Sequence, residues 1–221
     1  IDRETKQDIS GPALEKMTRL IEDKMPDIDV VLMSDYGKGL ITKTLLSKVT
    51  ASAKKHKKMT IVDPKGLDFS KYSGVSLLTP NKKEAALASG VEIDNESSLE
   101  KAANIILQNL SLDNLLITCG KDGMVLFEKN KKPYRVRAEA RQVFDVSGAG
   151  DTVLAVFGLA VASGASIHNS VAIANTAAGI VVGKVGTATV SKQELASALK
   201  LDDNGLPSKY KNLSELPALV K

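Results

Sequence analysis

The chain has 221 residues, 43% of them hydrophobic, and a net charge of +4, so it is long enough for one large domain with a buried core. The mild charge, the few aromatic residues and the absence of Trp give no signal for the base-stacking surfaces of nucleic-acid-binding proteins. A single cysteine excludes a disulfide scaffold, and no apolar run reaches membrane-spanning length, so we expect a cytoplasmic protein with no nucleic-acid and no membrane partner.

Apolar periodicity predicts helices that alternate with short buried strands. The predicted helices cover about Ala13–Met25, Thr42–His56, Lys82–Ser89, Ser97–Leu110, Gly150–Ser163, Ile167–Lys184 and Lys192–Lys200. The predicted strands cover Ile28–Met33, Met59–Val62, Val75–Leu78, Leu115–Thr118, Met124–Glu128 and Tyr134–Ala138. A capping box at Ser97-x-x-Glu100 is predicted for the fourth helix. This alternation predicts a mostly parallel sheet sandwiched by helices.

Five polar or glycine-rich loops fall where strands of this sheet are expected to end. They are Ser34–Gly39, Asp63–Gly66, Asn81–Glu84, Thr118–Gly123 and Asp145–Asp151. Ligands of open α/β sheets bind at the carboxyl ends of the strands. We therefore expect a ligand site at this edge.

The loop Asp145–Asp151, with the sequence DVSGAGD, is the most informative. Gly148, Ala149 and Gly150 carry almost no side chain and precede an apolar helix, so their N–H groups can approach an anion, typically phosphate. Asp151 adds a carboxylate beside that position, which suggests phosphoryl transfer to a hydroxyl with Asp151 as base. The alternative is a glycine-rich turn with Asp151 as an ordinary acid of the first helical turn.

Two further loops allow both a structural and a functional interpretation. Asn81 and Glu84 either form a capping box or hold waters around Mg²⁺ bound to nucleotide phosphates. Thr118–Gly123 forms either a plain turn or a backbone that approaches a nucleotide, with Thr118 or Lys121 near its phosphates.

The loops after the first two strands carry carboxylates and lysines. In the functional interpretation Asp35 binds a sugar hydroxyl, Lys38 binds an anion, and Lys65 balances phosphate charge. In the structural interpretation Asp63 fixes a turn and both lysines are solvated. The small residues of Ala174–Gly179 similarly allow either close helix packing or a flat wall against an adenine ring, and the loop that follows could return to the site.

Taken together, these residues resemble the ribokinase-like (pfkB) family of carbohydrate kinases. Asp145–Asp151 is similar to the family's carboxy-terminal signature, Asn81-x-x-Glu84 to its Asn-x-x-Glu motif, and Thr118-x-Gly120-x-x-Gly123 to its nucleotide loop. Further strings resemble the subgroup of heptose 7-phosphate kinases that form one domain of a bifunctional enzyme of ADP-heptose synthesis. These strings are Leu32–Gly39, Val62–Gly66, Leu77–Asn81 and Ala174–Thr187.

The resemblance covers residues 1–200 and implies a ribokinase-like three-layer α/β/α sandwich with a mostly parallel central sheet. Residues 1–200 are then expected to be the carboxy-terminal portion of the kinase domain, with the amino-terminal part of the fold missing. Residues 201–221 are expected to be a linker toward a nucleotidyltransferase domain, because this tail is polar and contains Gly205, Pro207 and Pro217.

The resemblance also implies an ATP-dependent kinase that converts D-glycero-D-manno-heptose 7-phosphate to heptose 1,7-bisphosphate. Its catalytic residues would be Asp151, Gly148, Ala149 and Gly150. Nucleotide contacts would come from Asn81, Glu84, Thr118, Gly120, Lys121, Gly123, Ala178 and Gly186. Substrate contacts would come from Asp35, Lys38, Asp63 and Lys65.

For ions and partners, the resemblance implies Mg²⁺ held through water by Glu84 and a monovalent cation such as K⁺ at Asp145. Sugar phosphate and ATP would be the small-molecule partners, and the full-length protein would be a homodimer. Two alternatives stay open: another ribokinase-like sugar or nucleoside kinase, and a catalytically incomplete nucleotide-binding fragment.

Overall fold

A computed structural model of the chain describes residues 6–138 and 144–201. The helices are α1 (Gly11–Lys24), α2 (Lys43–Lys55), α3 (Lys82–Ser89), α4 (Glu96–Asn109), α5 (Ala149–Ala162), α6 (Ile167–Val182) and α7 (Lys192–Leu201). The strands are β1 (Val30–Ser34), β2 (Met59–Asp63), β3 (Leu77–Leu78), β4 (Asn114–Thr118), β5 (Met124–Glu128) and β6 (Tyr134–Val136). Short 3₁₀ helices cover Met25–Asp27, Ser70–Tyr72 and Gly120–Asp122. The predicted linker beyond Leu201 lies outside the described residues.

The strands form one sheet in the order β1-β2-β3-β4-β5-β6. Strands β1 to β4 are parallel to their neighbours, with Ile61 of β2 opposite Leu77 of β3. Strands β5 and β6 are antiparallel, with Val125 opposite Arg135. The predicted α/β class with a mostly parallel sheet is therefore confirmed.

The described residues group into two compact units. The first lies within Ile1–Ile117 and Phe127–Lys132, and the second within Thr118–Leu126 and Pro133–Lys221. In the first unit, the middle residues of β2 and β4 are buried as continuous runs rather than in alternation. Parallel strands that are covered on both faces need such runs, which explains why short apolar stretches identified them in the sequence.

In the second unit, α5 and α6 pack against each other. Helix α6 is buried along the continuous stretch from Ser170 to Ala177, and α5 buries Phe157 completely. In residues 6–138 and 144–201, none of the helices combines the length and apolar character that crossing a membrane requires. The apolar character of these two helices instead serves their packing.

The start of α4 differs from the prediction. Asn95 is the N-cap, and its Oδ1 accepts a hydrogen bond from the N–H of Ser98 at 2.9 Å. The Oγ of Ser98 accepts in return from the N–H of Asn95 at 3.1 Å. The predicted capping box at Ser97 and Glu100 is therefore wrong, because an asparagine of equal capping strength precedes that serine and starts the helix earlier.

Candidate active site

In the first unit, the two loops predicted to bind substrate begin side by side. Ser34 and Asp63 are register partners at the ends of β1 and β2, and the N–H of Asp35 donates to the Asp63 carbonyl at 3.0 Å. Parallel pairing places the carboxyl ends of neighbouring strands at one edge, so the two loops leave the sheet together. The structure thus brings the segments after β1 and β2 into contact, as the sequence predicted.

Asp35 is held almost entirely by the protein. Its side chain is buried, Oδ2 accepts from the Tyr72 hydroxyl at 2.6 Å and from Lys71 Nζ at 2.5 Å, and Oδ1 accepts from the Gly37 N–H at 2.7 Å. Burial alone would raise the pKa of Asp35, but the hydrogen bonds from Lys71, Tyr72 and Gly37 outweigh it and hold the pKa below its ordinary value. These contacts use three of about four acceptor positions of the carboxylate. Asp35 therefore anchors its loop, and its contact with a sugar hydroxyl stays a prediction.

Lys38 and Lys65 are exposed at the same edge. A Cβ added to Gly37 would lie 3.7 Å from Cγ of Lys65, so the Lys65 side chain lies against the loop that carries Lys38. Asp63 is half-buried, and its Oδ1 accepts from the Thr79 hydroxyl at 3.0 Å. Asp63 therefore ties its loop to the residue that follows β3.

Of the two interpretations of Asn81 and Glu84, the structure shows the capping box, and their contact with a nucleotide or Mg²⁺ stays a prediction. Asn81 Oδ1 accepts from the Glu84 N–H at 2.9 Å, and Glu84 Oε2 accepts from the Asn81 N–H at 3.0 Å. The other carboxylate oxygen of Glu84 lies 3.5 Å from Lys65 Nζ. Both oxygens of Glu84 thus have partners within the first unit, an arrangement that suits contact with a metal through water rather than direct coordination.

In the second unit, a cavity of about 410 Å³ gathers many of the predicted nucleotide residues. Its volume lies in the range of small-molecule sites. The predicted residues that line it are Thr118, Gly120, Lys121, Gly123, Ala149, Gly150 and Ala178. Because the remaining wall is mostly apolar, the cavity can enclose a flat apolar group while polar atoms approach at its rim.

The turn from Thr118 to Gly123 contains two glycines with positive φ, and at only one of them would a Cβ clash with a neighbouring segment. The Cys119 N–H donates to the Gly123 carbonyl at 2.7 Å, which closes the turn. Gly123 has φ +88°, and a Cβ there would lie 2.0 Å from the Val136 carbonyl oxygen. At Gly120, with φ +59°, an added Cβ would meet nothing within 4 Å. Gly123 is thus required by the close approach of β6.

The glycine-rich motif opens α5 as predicted. Gly148 is the N-cap with φ +78°, and a Cβ there would lie 3.2 Å from Cγ2 of Thr187. The Ser147 N–H donates to Asp145 Oδ1 at 2.8 Å, and the Ala149 N–H donates to the Val146 carbonyl at 3.2 Å. Two amides of the motif are therefore engaged within the loop. An anion at this helix start would have to compete with Asp145 and Val146 for these two amides.

Two carboxylates flank this motif. Asp151 lies exposed in the first turn of α5. Hydrogen bonds from the Ser147 backbone, its side chain and the Gly186 backbone lower the pKa of Asp145. The loop of Gly186 thus returns to the motif, as the sequence suggested.

Within residues 6–138 and 144–201, the structure contains no group of three or more His, Cys, Asp or Glu side chains that could hold a metal ion.

Sequence reasoning missed several residues at these sites. Asn175 is buried in α6, lines the cavity, and donates from Nδ2 to the Arg137 carbonyl at 2.8 Å. The available signal was the pair Asn175 and Thr176, which are polar within the otherwise apolar run from Val171 to Val182. Tyr72 and Lys71, which hold Asp35, gave no signal because they belong to a short 3₁₀ helix with no motif of its own. The apolar lining residues Met124, Val146, Val153 and Val182 were also missed.

Comparison with known proteins identifies similar sequences along the whole chain. Residues 4–194 match the family model described as "pfkB family carbohydrate kinase". The "Bifunctional protein HldE" of Desulfatibacillum aliphaticivorans is 51% identical over 221 residues, which are 100% of this chain and 45% of that protein. The protein of the same name from Trichlorobacter lovleyi is 44% identical over 220 residues, again 100% of this chain and 45% of that protein. The chain thus spans about half the length of the curated relatives it matches.

Solved structures show the same fold. Arabidopsis thaliana ribokinase complexed with ribose and ATP has a TM-score of 0.72 and 23% identity, over 88% of this chain and 60% of that chain. Escherichia coli phosphofructokinase-2 in complex with potassium has a TM-score of 0.69 and 21% identity, over 83% of this chain and 61% of that chain. The predicted ribokinase-like fold class is therefore confirmed.

Proposed function

The chain belongs to the pfkB family of carbohydrate kinases, and we propose that it transfers the γ-phosphoryl group of ATP to the anomeric hydroxyl of D-glycero-D-manno-heptose 7-phosphate. The product is heptose 1,7-bisphosphate. The observation that carries the proposal is the cavity of the second unit, whose wall includes Ala149 and Gly150 of the glycine-rich motif. The choice of heptose 7-phosphate as the substrate is based on the sequence strings that resemble heptose 7-phosphate kinases. A cytoplasmic location is part of the proposal, because a single cysteine suits a reducing compartment.

The nucleotide occupies this cavity in our proposal. The small residues Ala178 and Gly179 offer a flat surface to the adenine ring, and Val182 adds apolar contact. Thr118 and Lys121 line the same cavity, where a hydroxyl and an ammonium group can bind phosphate oxygens. The amides of Gly148 and Gly150, at the start of α5, stabilise the charge on the transferred group.

Asp151 acts as the base. Its carboxylate takes the proton of the anomeric hydroxyl, and the resulting oxygen forms a bond to the γ-phosphorus while the bond from phosphorus to the leaving ADP oxygen breaks. The exposed position of Asp151 in the first turn of α5 supports this role, because the carboxylate is accessible to a substrate hydroxyl.

The sugar phosphate binds at the edge formed by the loops after β1 and β2. Lys38 and Lys65 are both exposed there, and their ammonium groups suit the 7-phosphate. Asp35 and Asp63 hold the two loops, and in this proposal their carboxylates also accept hydrogen bonds from sugar hydroxyls.

Mg²⁺ accompanies ATP in this proposal and neutralises phosphate charge when bound. Glu84 suits an outer position that reaches the ion through water, because Mg²⁺ keeps several waters and both oxygens of Glu84 already have partners. For a monovalent cation, Asp145 supplies one carboxylate, which accepts backbone hydrogen bonds from Ser147 and Gly186.

We further propose that the chain is one part of a bifunctional protein. It matches 45% of the length of relatives that carry that description, and residues 201–221 would then lead toward a nucleotidyltransferase domain. The homodimer expected for the full-length protein belongs to the same proposal.

The test is Asp151→Asn in the protein at its full natural length. We expect kcat to fall by about 10²- to 10⁴-fold, with the ATP dissociation constant within about twofold of wild type, because a base acts on the hydroxyl and not on nucleotide affinity. Asp113→Asn, which alters an exposed carboxylate before β4, is the matched control. Unchanged turnover in Asp151→Asn rejects Asp151 as base.

The substrate is tested with a panel of sugars and sugar phosphates in a coupled ADP-release assay. We expect the highest kcat/KM with heptose 7-phosphate. A preference for an unphosphorylated sugar or a nucleoside would overturn the heptose assignment and leave the kinase family intact.

A further inference from the structure

One buried hydroxyl group joins the two loops at the carboxyl edge of the first unit. The Tyr72 ring is completely buried and meets Phe69 edge-on, with ring centroids 5.6 Å apart. Its hydroxyl donates to Asp35 Oδ2 at 2.6 Å and accepts from the N–H of Lys65 at 2.9 Å. Asp35 belongs to the loop after β1 and Lys65 to the loop after β2, so a single oxygen atom bridges the two loops.

Lys71 supports the same bridge from a second side. Its Nζ contacts Asp35 Oδ2 at 2.5 Å and the Ile41 carbonyl at 3.2 Å. Asp35 lies at the start of its loop and Ile41 just before α2 begins, so Lys71 ties together both ends of the segment that carries Lys38. The adjacent residues Lys71 and Tyr72, on one 3₁₀ helix, thus hold both loops.

We propose that Tyr72 and Lys71 are positioning residues that preorganise Lys38 and Lys65 for the phosphate group of the sugar substrate. The inference rests on the proposed function, which places that phosphate at these lysines. Long lysine side chains lose conformational freedom when they bind an anion, and a loop that also had to be ordered would add to this cost. Holding both loops in place before the substrate binds removes the cost of ordering the loops.

The burial of the bridge strengthens the argument. The side chain of Asp35 is 2% exposed and that of Lys71 is 25% exposed, so water competes weakly for these hydrogen bonds. Each oxygen of Asp35 has a partner from the protein, and the Tyr72 hydroxyl uses both its donor and its acceptor capacity. The loops therefore have one well-defined arrangement, which two-sided recognition of a phosphate needs.

The experiment compares wild type with Tyr72→Phe, which keeps the buried ring and its contact with Phe69 and removes only the hydroxyl. The first measurement is amide hydrogen exchange by NMR, which needs no activity. We expect exchange of the Lys65 amide to become at least about tenfold faster, because that N–H loses its acceptor. Unchanged exchange at Lys65 would overturn the bridge.

The second measurement is steady-state kinetics. We expect KM for the sugar phosphate to rise by about fivefold in Tyr72→Phe, with kcat and the KM for ATP within about twofold of wild type. A general folding defect would instead lower kcat through a smaller active fraction and leave both KM values unchanged. Faster exchange at Lys65 without a rise in the sugar-phosphate KM would overturn the positioning role.

Two further variants sharpen the test. Tyr134→Phe, which removes the hydroxyl of a half-buried tyrosine in the second unit, is the control and is expected to change neither measurement. Lys71→Met is expected to raise the KM for the sugar phosphate as well. The double variant with Tyr72→Phe is expected to raise this KM by less than the product of the two single fold-changes, because both groups act through Asp35 Oδ2. Independent effects of the two substitutions on this KM would contradict a shared bridge. If wild type phosphorylates no sugar phosphate, the proposed function fails, and the exchange measurement still decides the bridge.

Discussion

Lys65 and Glu84 form an ion pair, with Lys65 Nζ 3.5 Å from Glu84 Oε1. The pair joins the loop after β2 to the first turn of α3. The Lys65 side chain is 58% exposed, whereas that of Glu84 is 17% exposed and is also held by the capping box. Lys65 is thus the partner that can leave, and a substrate phosphate would compete with Glu84 for its ammonium group.

Lys65→Met tests this relationship. An exposed ion pair contributes little to stability, so we expect the free energy of unfolding to change by less than about 1 kcal/mol. The KM for the sugar phosphate should rise by about tenfold, because a charge-assisted contact with phosphate is lost. Lys83→Met, which alters an exposed lysine on α3, should leave this KM unchanged. An equal effect of the two variants would contradict a specific role for Lys65.

The two glycines of the Thr118–Gly123 turn should respond differently to alanine. Gly120→Ala meets only the strain of a positive φ and should cost about 1 kcal/mol. Gly123→Ala also places a Cβ 2.0 Å from the Val136 carbonyl oxygen, so the backbone must move, and we expect a loss of about 3 kcal/mol or more. Urea unfolding of both variants measures the difference. Equal losses would show that conformational strain alone, and not the approach of β6, requires Gly123.

The acid stability of the second unit should depend on Glu194. A hydrogen bond from Lys184, whose Nζ lies 2.6 Å from Glu194 Oε1, and the backbone and hydroxyl of Ser191 lower the pKa of Glu194 from 4.5 to about 2. Because the pKa is lower in the folded state, the ionised carboxylate stabilises the fold above pH 4.5, and this contribution is lost as the pH falls toward 2.

Glu194→Gln should therefore flatten the pH dependence of the free energy of unfolding between pH 4.5 and about 2. Lys184→Met should flatten it as well, since it removes the largest cause of the shift. Denaturant unfolding at a series of pH values in this range gives the measurement. An unchanged slope in Glu194→Gln would show that this group has no part in acid unfolding.

Filling the cavity of the second unit should block the nucleotide. Ala178→Phe adds an aromatic ring to the wall of a space of about 410 Å³, and we expect the KM for ATP to rise by more than about tenfold. Ala155→Phe adds the same ring to an exposed position of α5 and serves as the control. Circular dichroism checks that both variants fold. Normal ATP kinetics in a folded Ala178→Phe protein would place the nucleotide elsewhere.

Local patterns in the sequence predicted much of this molecule. The continuous apolar runs of β2 and β4 identified buried parallel strands, because strands covered on both faces leave no polar side to alternate. The Asn81-x-x-Glu84 spacing indicated a capping box as one of two interpretations, since both hydrogen bonds lie within one helical turn. The glycine-rich motif predicted the start of α5 for the same reason: its geometry is local.

Local sequence patterns did not predict the contacts between segments that are distant in the chain. No spacing shows that Tyr72 bridges Asp35 and Lys65, because the bridge depends on how a 3₁₀ helix packs under two loops. The reason for Gly123 likewise lies in the carbonyl of Val136 on the paired strand β6. Periodicity and residue chemistry were thus enough to predict the fold class and to identify the loops that carry charge and glycine. Which of those charged groups already have hydrogen-bond partners within the protein became known only from the three-dimensional structure, because packing sets the partners that lie far apart in the chain.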